Sequence, residues 1–126
     1  VVRERKIKMN NSTIGEYIDP LGRTIEIKEN TWQVKQQTHP EIKGKEHLLE
    51  KVFCKPNFIW VSASYANRDV YIWYNDIDEK FDGTFLPYVF GIAAFDSDSK
   101  GTMVSIYPSK KIGGVSGTGG IKYAAR

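Results

Sequence analysis

The hydrophobic period of this chain changes at Pro56, and that change sets what the chain can fold into. Before it, Ile42, Leu48, Leu49, Val52 and Phe53 make an apolar stripe at helical spacing. After it, apolar runs of strand length alternate with polar turns. Phe58 to Ser62, Asp69 to Tyr74, Pro87 to Phe95 and Thr102 to Tyr107 read as successive strands. Asp82-Gly83 and the stretch from Asp96 to Gly101 supply turn residues between them. A sheet with one apolar face needs a cover, and the helix stripe offers one. The order predicts an α+β domain, with N-terminal helical segments packed on an antiparallel β-sheet of about four strands.

The helical part has its own punctuation. Asn30 or Thr31 is placed to cap a short helix through Gln36, with Trp32 as its buried residue. Thr38 then precedes Pro40 and Glu41, a cap, a first-turn proline and a glutamate three places after the cap. This predicts a helix from Ile42 through Phe53, weakened at Gly44 and stopped by Pro56. His39 then lies at that helix's N-terminal edge. Upstream, two β-prone pieces, residues 15–19 and 23–27, flank Pro20-Leu21-Gly22 and read as a small hairpin.

A length of 126 residues is that of one domain. It divides into a basic arm and small hairpin (1–30), a core (31–113) and a Gly-rich basic tail (113–126). Five of the eight residues from Gly113 to Gly120 are glycine. They lack the Lys-Ser/Thr ending and the following helix of a phosphate loop, and read as a connector or tail, with a short strand at residues 121–123. The chain begins with Val1, as a processed product or a domain cut from a longer chain would, and carries no signal-peptide pattern. No apolar run approaches membrane-spanning length.

Charge and ligand chemistry narrow the function. Lys and Arg outnumber Asp and Glu by 18 to 15, but the charge is uneven. Residues 76–98 are acidic, while residues 100–126 and the stretch from Arg3 to Lys8 are basic, a distribution suited to phosphate. The single cysteine, Cys54, has no partner for a disulfide. His39 and His47 are eight residues apart on the expected helix, about 12 Å along its axis. One ion cannot take both, and no cofactor is expected.

Metal-free phosphate chemistry needs a proton acceptor, hydroxyl or cationic donors, and a phosphate clamp. His39 suits the first role. A helix N-terminus beside it would favour phosphate and depress the imidazole pKa, as a base requires. Alternation over the last strand puts Met103, Ser105 and Tyr107 on one face, leading into Lys110 and Lys111. Arg68 is the candidate clamp. The plainer readings are a capping or surface histidine and a half-exposed strand with a basic turn. His47 reads as structural or solvated.

The residues from His39-Pro40-Glu41-Ile42, through His47-Leu48, Val52, Pro56-Asn57-Phe58-Ile59 and Ser62, to Ser105-Ile106-Tyr107-Pro108 resemble a known group. It is the phage-associated nuclease domains related to barnase, EndoU, colicin E5/D and RelE. The resemblance covers residues 31–113. It implies a barnase/RelE-like fold and metal-independent RNA cleavage by 2′-hydroxyl transesterification, giving 2′,3′-cyclic phosphate and 5′-hydroxyl ends. It directs catalytic interest to His39, Arg68, Ser105, Tyr107 and Lys110. A second-strand lysine common in the group is missing from Tyr71-Ile72-Trp73-Tyr74-Asn75. The implied partners are RNA, with tRNA among the targets, and a cognate inhibitor or immunity protein. The implied site of action is cytoplasmic, with delivery into a target cell one route.

The competing expectation is a non-enzymatic binding, inhibitor or accessory domain of phage or mobile-element origin. It would present the acidic 76–98 stretch or Trp60, Trp73 and Tyr65 to a protein. A nuclease gathers His39, Arg68, Tyr107 and a lysine in one cleft; a binding module leaves them scattered. A sequence-specific DNA binder finds no support, since no helix-turn-helix spacing is present.

Overall fold

A computed structural model describes residues 11–112 and 118–125. The expected basic arm at 1–9, and the part of the glycine run at 113–117, lie outside the described residues. Among the described residues nine strands and two short α-helices follow one another. β1 (Thr13–Ile18) and β2 (Thr24–Lys28) precede α1 (Glu29–Thr38), a 3₁₀ turn (Pro40–Ile42) and α2 (His47–Cys54). β3 (Phe58–Ser62), β4 (Arg68–Tyr74), β5 (Lys80–Phe81), β6 (Thr84–Phe85), β7 (Tyr88–Phe95), β8 (Lys100–Ser109) and β9 (Thr118–Ala124) complete the chain.

The expectation of a barnase/RelE-like fold, with N-terminal helical segments packed on an antiparallel sheet of about four strands, is overturned. The fold is mostly β, built on one mixed seven-stranded sheet in the order β1-β2-β8-β7-β4-β3-β9. The small hairpin is part of this sheet: β2 pairs parallel with β8, Thr24 opposite Lys100. At the far edge β9 pairs with β3, Ile59 opposite Tyr123. Both additions are long-range pairings that local alternation does not encode. β9 contains the short strand expected at 121–123 and extends back through Gly119 and Gly120, which have low strand propensity. β5 and β6 form a separate hairpin, closed by Asp82 and Gly83 at φ 51° and 79°. Positive φ at both central residues is what a tight hairpin turn with matching twist requires.

The single long helix expected from Ile42 through Phe53 is divided. Thr38 is the last residue of α1, and its hydroxyl donates back to the Val34 carbonyl at 3.0 Å instead of capping a new helix. Pro40 to Ile42 make only a 3₁₀ turn, and Gly44 at φ +76° takes the chain out of helical space. The stripe survives where it matters. Leu48, Leu49, Val52 and Phe53 of α2 are all buried. They meet Ile25, Ile27, Ile59, Tyr71, Trp73, Val89, Met103 and Ile106 from one face of the sheet. Trp32 of α1 joins this core, and its indole donates to Glu46 at 3.2 Å.

Glu79 anchors the start of α2. It accepts from Lys45 and lies 2.9 Å from His47 Nε2. The Lys45 contact, then the His47 contact, hold its carboxyl below the usual glutamate value. Such a group stabilises the fold above its unfolded pKa and loses that contribution as pH falls through the folded value. Stability should therefore decline below pH 4.5 more steeply in wild type than in Glu79→Gln, measured by urea unfolding across pH.

Gly91 is where α2 presses closest on the sheet. A Cβ there would sit 2.6 Å from Val52 Cγ1 and 2.7 Å from Phe53 Cζ. Gly91→Ala should cost about 1–3 kcal/mol by overpacking, read from chemical denaturation.

Candidate functional site

The strand carrying the expected hydroxyls does not alternate simply. β7 and β8 pair in register from Tyr88 opposite Ser109 to Ile92 opposite Ser105, and then slip, with Ala93 opposite Met103. Val104 is the extra residue of this β-bulge. Its effect is to separate Met103 from Ser105 and Tyr107. Met103 and Ile106 enter the core under the helices. Tyr107 joins the opposite face, with Val70, Ile72 and Phe90. Ser105, opposite Ile92, shares that face. The expected grouping of Met103 with Ser105 and Tyr107 is corrected accordingly.

β2 pairs with β8 only as far as Glu26 opposite Thr102. α1 packs against β8, and its Val34 and Lys35 line a shallow pocket together with Val104. The chain leaves α1 at His39, whose N–H donates to the Lys35 carbonyl at 2.8 Å. His39 is thus a helix C-terminal residue ahead of a three-residue turn. The helix-dipole argument for phosphate binding and a depressed pKa at His39 does not apply. What His39 does have is a ring partner. Its imidazole stacks on Tyr107 with centroids 5.7 Å apart and planes at 23°. A Glu41 carboxylate oxygen lies 3.6 Å from His39 Nδ1. The carboxylate thus sits on the Nδ1 side of the ring and leaves the Nε2 side clear of it.

Tyr107 packs against Phe90 at 5.5 Å. Burial raises the pKa of its phenol above the ordinary value, so it stays protonated through neutral pH. Just past it, Ser109 Oγ donates to the Lys111 carbonyl at 2.8 Å, and the Lys111 N–H returns to Ser109 Oγ at 3.3 Å. This turn presents Lys110 and Lys111, both exposed and without an acidic partner among the described residues.

Arg68 stands apart from that group. It pairs with Ala94 of β7, whereas Tyr107 pairs with Phe90. Four residues of β7 separate them, about 13 Å along the strand. Its guanidinium lies over the Tyr65 ring at 4.4 Å. It lines a cleft of about 390 Å³ with Arg23, Asp69, Asp96, Asp98 and Lys122. His39, Tyr107 and the lysines come together; Arg68 cannot share their phosphate.

The floor of the Arg68 cleft is a charged cluster that local sequence patterns did not reveal. Asp19 and Asp69 are 3% and 2% exposed. Arg23 bridges them, with Nε 2.9 Å from Asp19 and Nη1 2.8 Å from Asp69. Lys122 reaches Asp69 at 3.0 Å. The Tyr71 hydroxyl donates to Asp19 at 2.6 Å. Burial, then the bond to Asp19, pushes the Tyr71 phenol far above its ordinary value, so it remains a donor. Asp19 Oδ1 also accepts from the Leu21 and Arg23 N–H groups, each at 2.9 Å. That side chain closing a turn over Pro20-Leu21-Gly22 was the available signal. Among the described residues no cluster of His, Cys, Asp and Glu is placed to hold a metal ion.

No family model matches this chain, nor does any curated protein or solved structure.

The two arginines predict different responses. Asp69→Asn leaves Arg23 and Lys122 short of a buried countercharge and should cost about 3 kcal/mol in urea unfolding. Arg68→Ala removes a surface cation–π contact and should cost at most about 1 kcal/mol.

Proposed function

We propose that the protein is a metal-independent endoribonuclease acting through His39 and Tyr107. The observation that carries this reading is the stacked His39–Tyr107 pair, with Glu41 behind the imidazole and Lys110 and Lys111 one turn beyond. His39 Nε2 takes the proton of the RNA 2′-hydroxyl. The 2′-oxygen attacks phosphorus and the bond to the 5′-oxygen breaks. The Tyr107 hydroxyl supplies the leaving oxygen's proton and is reprotonated from His39. Lys110 and Lys111 offset the charge that builds on the phosphorane, and the Ser105 hydroxyl orients the phosphate from two residues along the same face. The products are a 2′,3′-cyclic phosphate and a 5′-hydroxyl. The short motifs that resemble the barnase, EndoU, colicin E5/D and RelE group point to the same chemistry, on a mixed seven-stranded sheet that is not the fold the resemblance implied. An enzyme of this type acts on cytoplasmic RNA, in toxin-like fashion, and its producer needs an inhibitor protein.

A second reading, a non-enzymatic protein-binding domain, is favoured by exposed apolar groups beside acidic residues. Ile77 and Phe85 are 45% and 41% exposed, near Asp76, Asp78 and Asp82. Of its expected anchors only Tyr65 is exposed; Trp73 is buried in the core and Trp60 half-buried.

The test is incubation with total RNA in excess EDTA, beside His39→Ala, with end-group analysis of fragments. Cyclic phosphate ends, and a rate at least about 10²-fold lower in the variant at unchanged thermal stability, are expected. Intact RNA at high protein concentration would transfer the weight to the protein-binding reading.

A further inference from the structure

A ladder of ring contacts crosses the face of the sheet opposite the helices. From His39 on Tyr107 it passes to Phe90, then to Tyr88 at 6.4 Å, and from Tyr88 to Tyr74 at 5.6 Å. It continues to Phe58 at 6.0 Å and Trp60 at 6.3 Å. Four strands contribute rings, so the ladder is a product of the β8-β7-β4-β3 order rather than of any local motif. Phe90 is fully buried and forms its floor. Tyr74 is 39% exposed, Tyr88 is half-buried, and they are direct cross-strand partners.

Two cations border the same end of the sheet. Tyr88 pairs across β7 and β8 with Ser109, the residue whose hydroxyl holds the Lys110–Lys111 turn. Neither lysine is committed to an acid among the described residues. Accessible tyrosine rings next to uncommitted ammonium groups are complementary to unpaired bases on a phosphate backbone. A duplex hides its base faces and cannot use the rings. Asp76 and Asp78 follow Tyr74, are exposed, and repel phosphate beyond it, so the track ends there.

We propose that Tyr88 and Tyr74, with Lys110 and Lys111, form a base-stacking subsite for single-stranded RNA leading away from the His39–Tyr107 pair. The proposal deepens the ribonuclease reading and rests on it for the identity of the ligand. One base stacks on each tyrosine, and the lysines hold the intervening phosphates. The subsite makes the protein select unpaired RNA and sets where the strand lies relative to His39.

The test is fluorescence anisotropy with a labelled 2′-O-methyl oligonucleotide, which has no 2′-hydroxyl to react and binds without being cut. The single strand should bind at least tenfold tighter than the same sequence as a duplex, an expectation of order-of-magnitude size (about tenfold per stacked base). Tyr74→Ala and Tyr88→Ala should each weaken binding about tenfold, while the phenylalanine variants keep it. Lys110→Gln with Lys111→Gln should weaken binding and flatten its salt dependence. Tyr65→Ala, at the other end of the sheet, should change nothing. Equal affinity for duplex, no binding of the single strand, or wild-type affinity in both tyrosine-to-alanine variants overturns the subsite. Binding with the expected pattern beside uncut RNA in EDTA defeats the ribonuclease reading and leaves the subsite standing. Metal-free cleavage with no effect of the tyrosine variants does the reverse.

Discussion

Arg23 ties together strands that are far apart in the chain. It leaves the turn between β1 and β2 and binds Asp19 on one side and Asp69 of β4 on the other. Lys122 of β9 closes on the same Asp69 from the opposite sheet edge. The three strands added outside the central meander are thus referred to one buried carboxylate on a central strand. Two carboxylates and two cations balance, and Tyr71 satisfies a further acceptor on Asp19. A cluster of this kind yields little net stability over an apolar replacement, because desolvation offsets the Coulomb gain. Its contribution is specificity. A hairpin shifted by one residue would take Arg23 away from Asp69 and leave that buried carboxylate with Lys122 alone, which is expensive at a buried position.

The two faces of the sheet serve different ends, and a single residue divides them on β8. One face is a conventional core, where the apolar stripe of α2 lies over Gly91. The other carries aromatic side chains from β3, β4, β7 and β8. The Val104 bulge lets Met103 and Ile106 serve the first face while Ser105 and Tyr107 serve the second. Without it, strict alternation would put Tyr107 on the same face as Met103 and turn Ile106 to the opposite one. The same strand is left by β2 beyond Thr102, which opens the edge past which His39 comes to lie on Tyr107. The proposed chemistry therefore depends on a bulge and an early strand departure, both common devices for aiming side chains.

The strands of the meander were legible because each is a run of β-branched and aromatic residues between turn residues; β7 runs from Tyr88 to Phe95 and β3 from Phe58 to Ser62. The helical stripe was legible too, but its length was not: the backbone at Gly44 overrides a continuous pattern of apolar spacing. The grouping of the proposed site's residues was legible in part. His39 and Tyr107 stand out by residue type and do meet. Arg68 stands out equally and lies about 13 Å away along the sheet, because residue type carries no register. The buried Asp19–Arg23–Asp69 cluster was invisible apart from the turn at Asp19, since charged residues in short β segments ordinarily read as surface.

The amino-acid order by itself determined the local elements: where the period is helical, where it is strand-like, and which residues turn the chain. These follow from backbone sterics and side-chain periodicity within a few residues. The tertiary structure alone decided that the sheet has seven strands rather than about four, that β2 runs parallel to β8, and which candidate residues share a site. Those outcomes rest on hydrogen bonds and charge pairings between segments 50 or more residues apart, such as Tyr71 with Asp19 and Lys122 with Asp69. Their energy depends on burial that exists only once the chain has closed on itself.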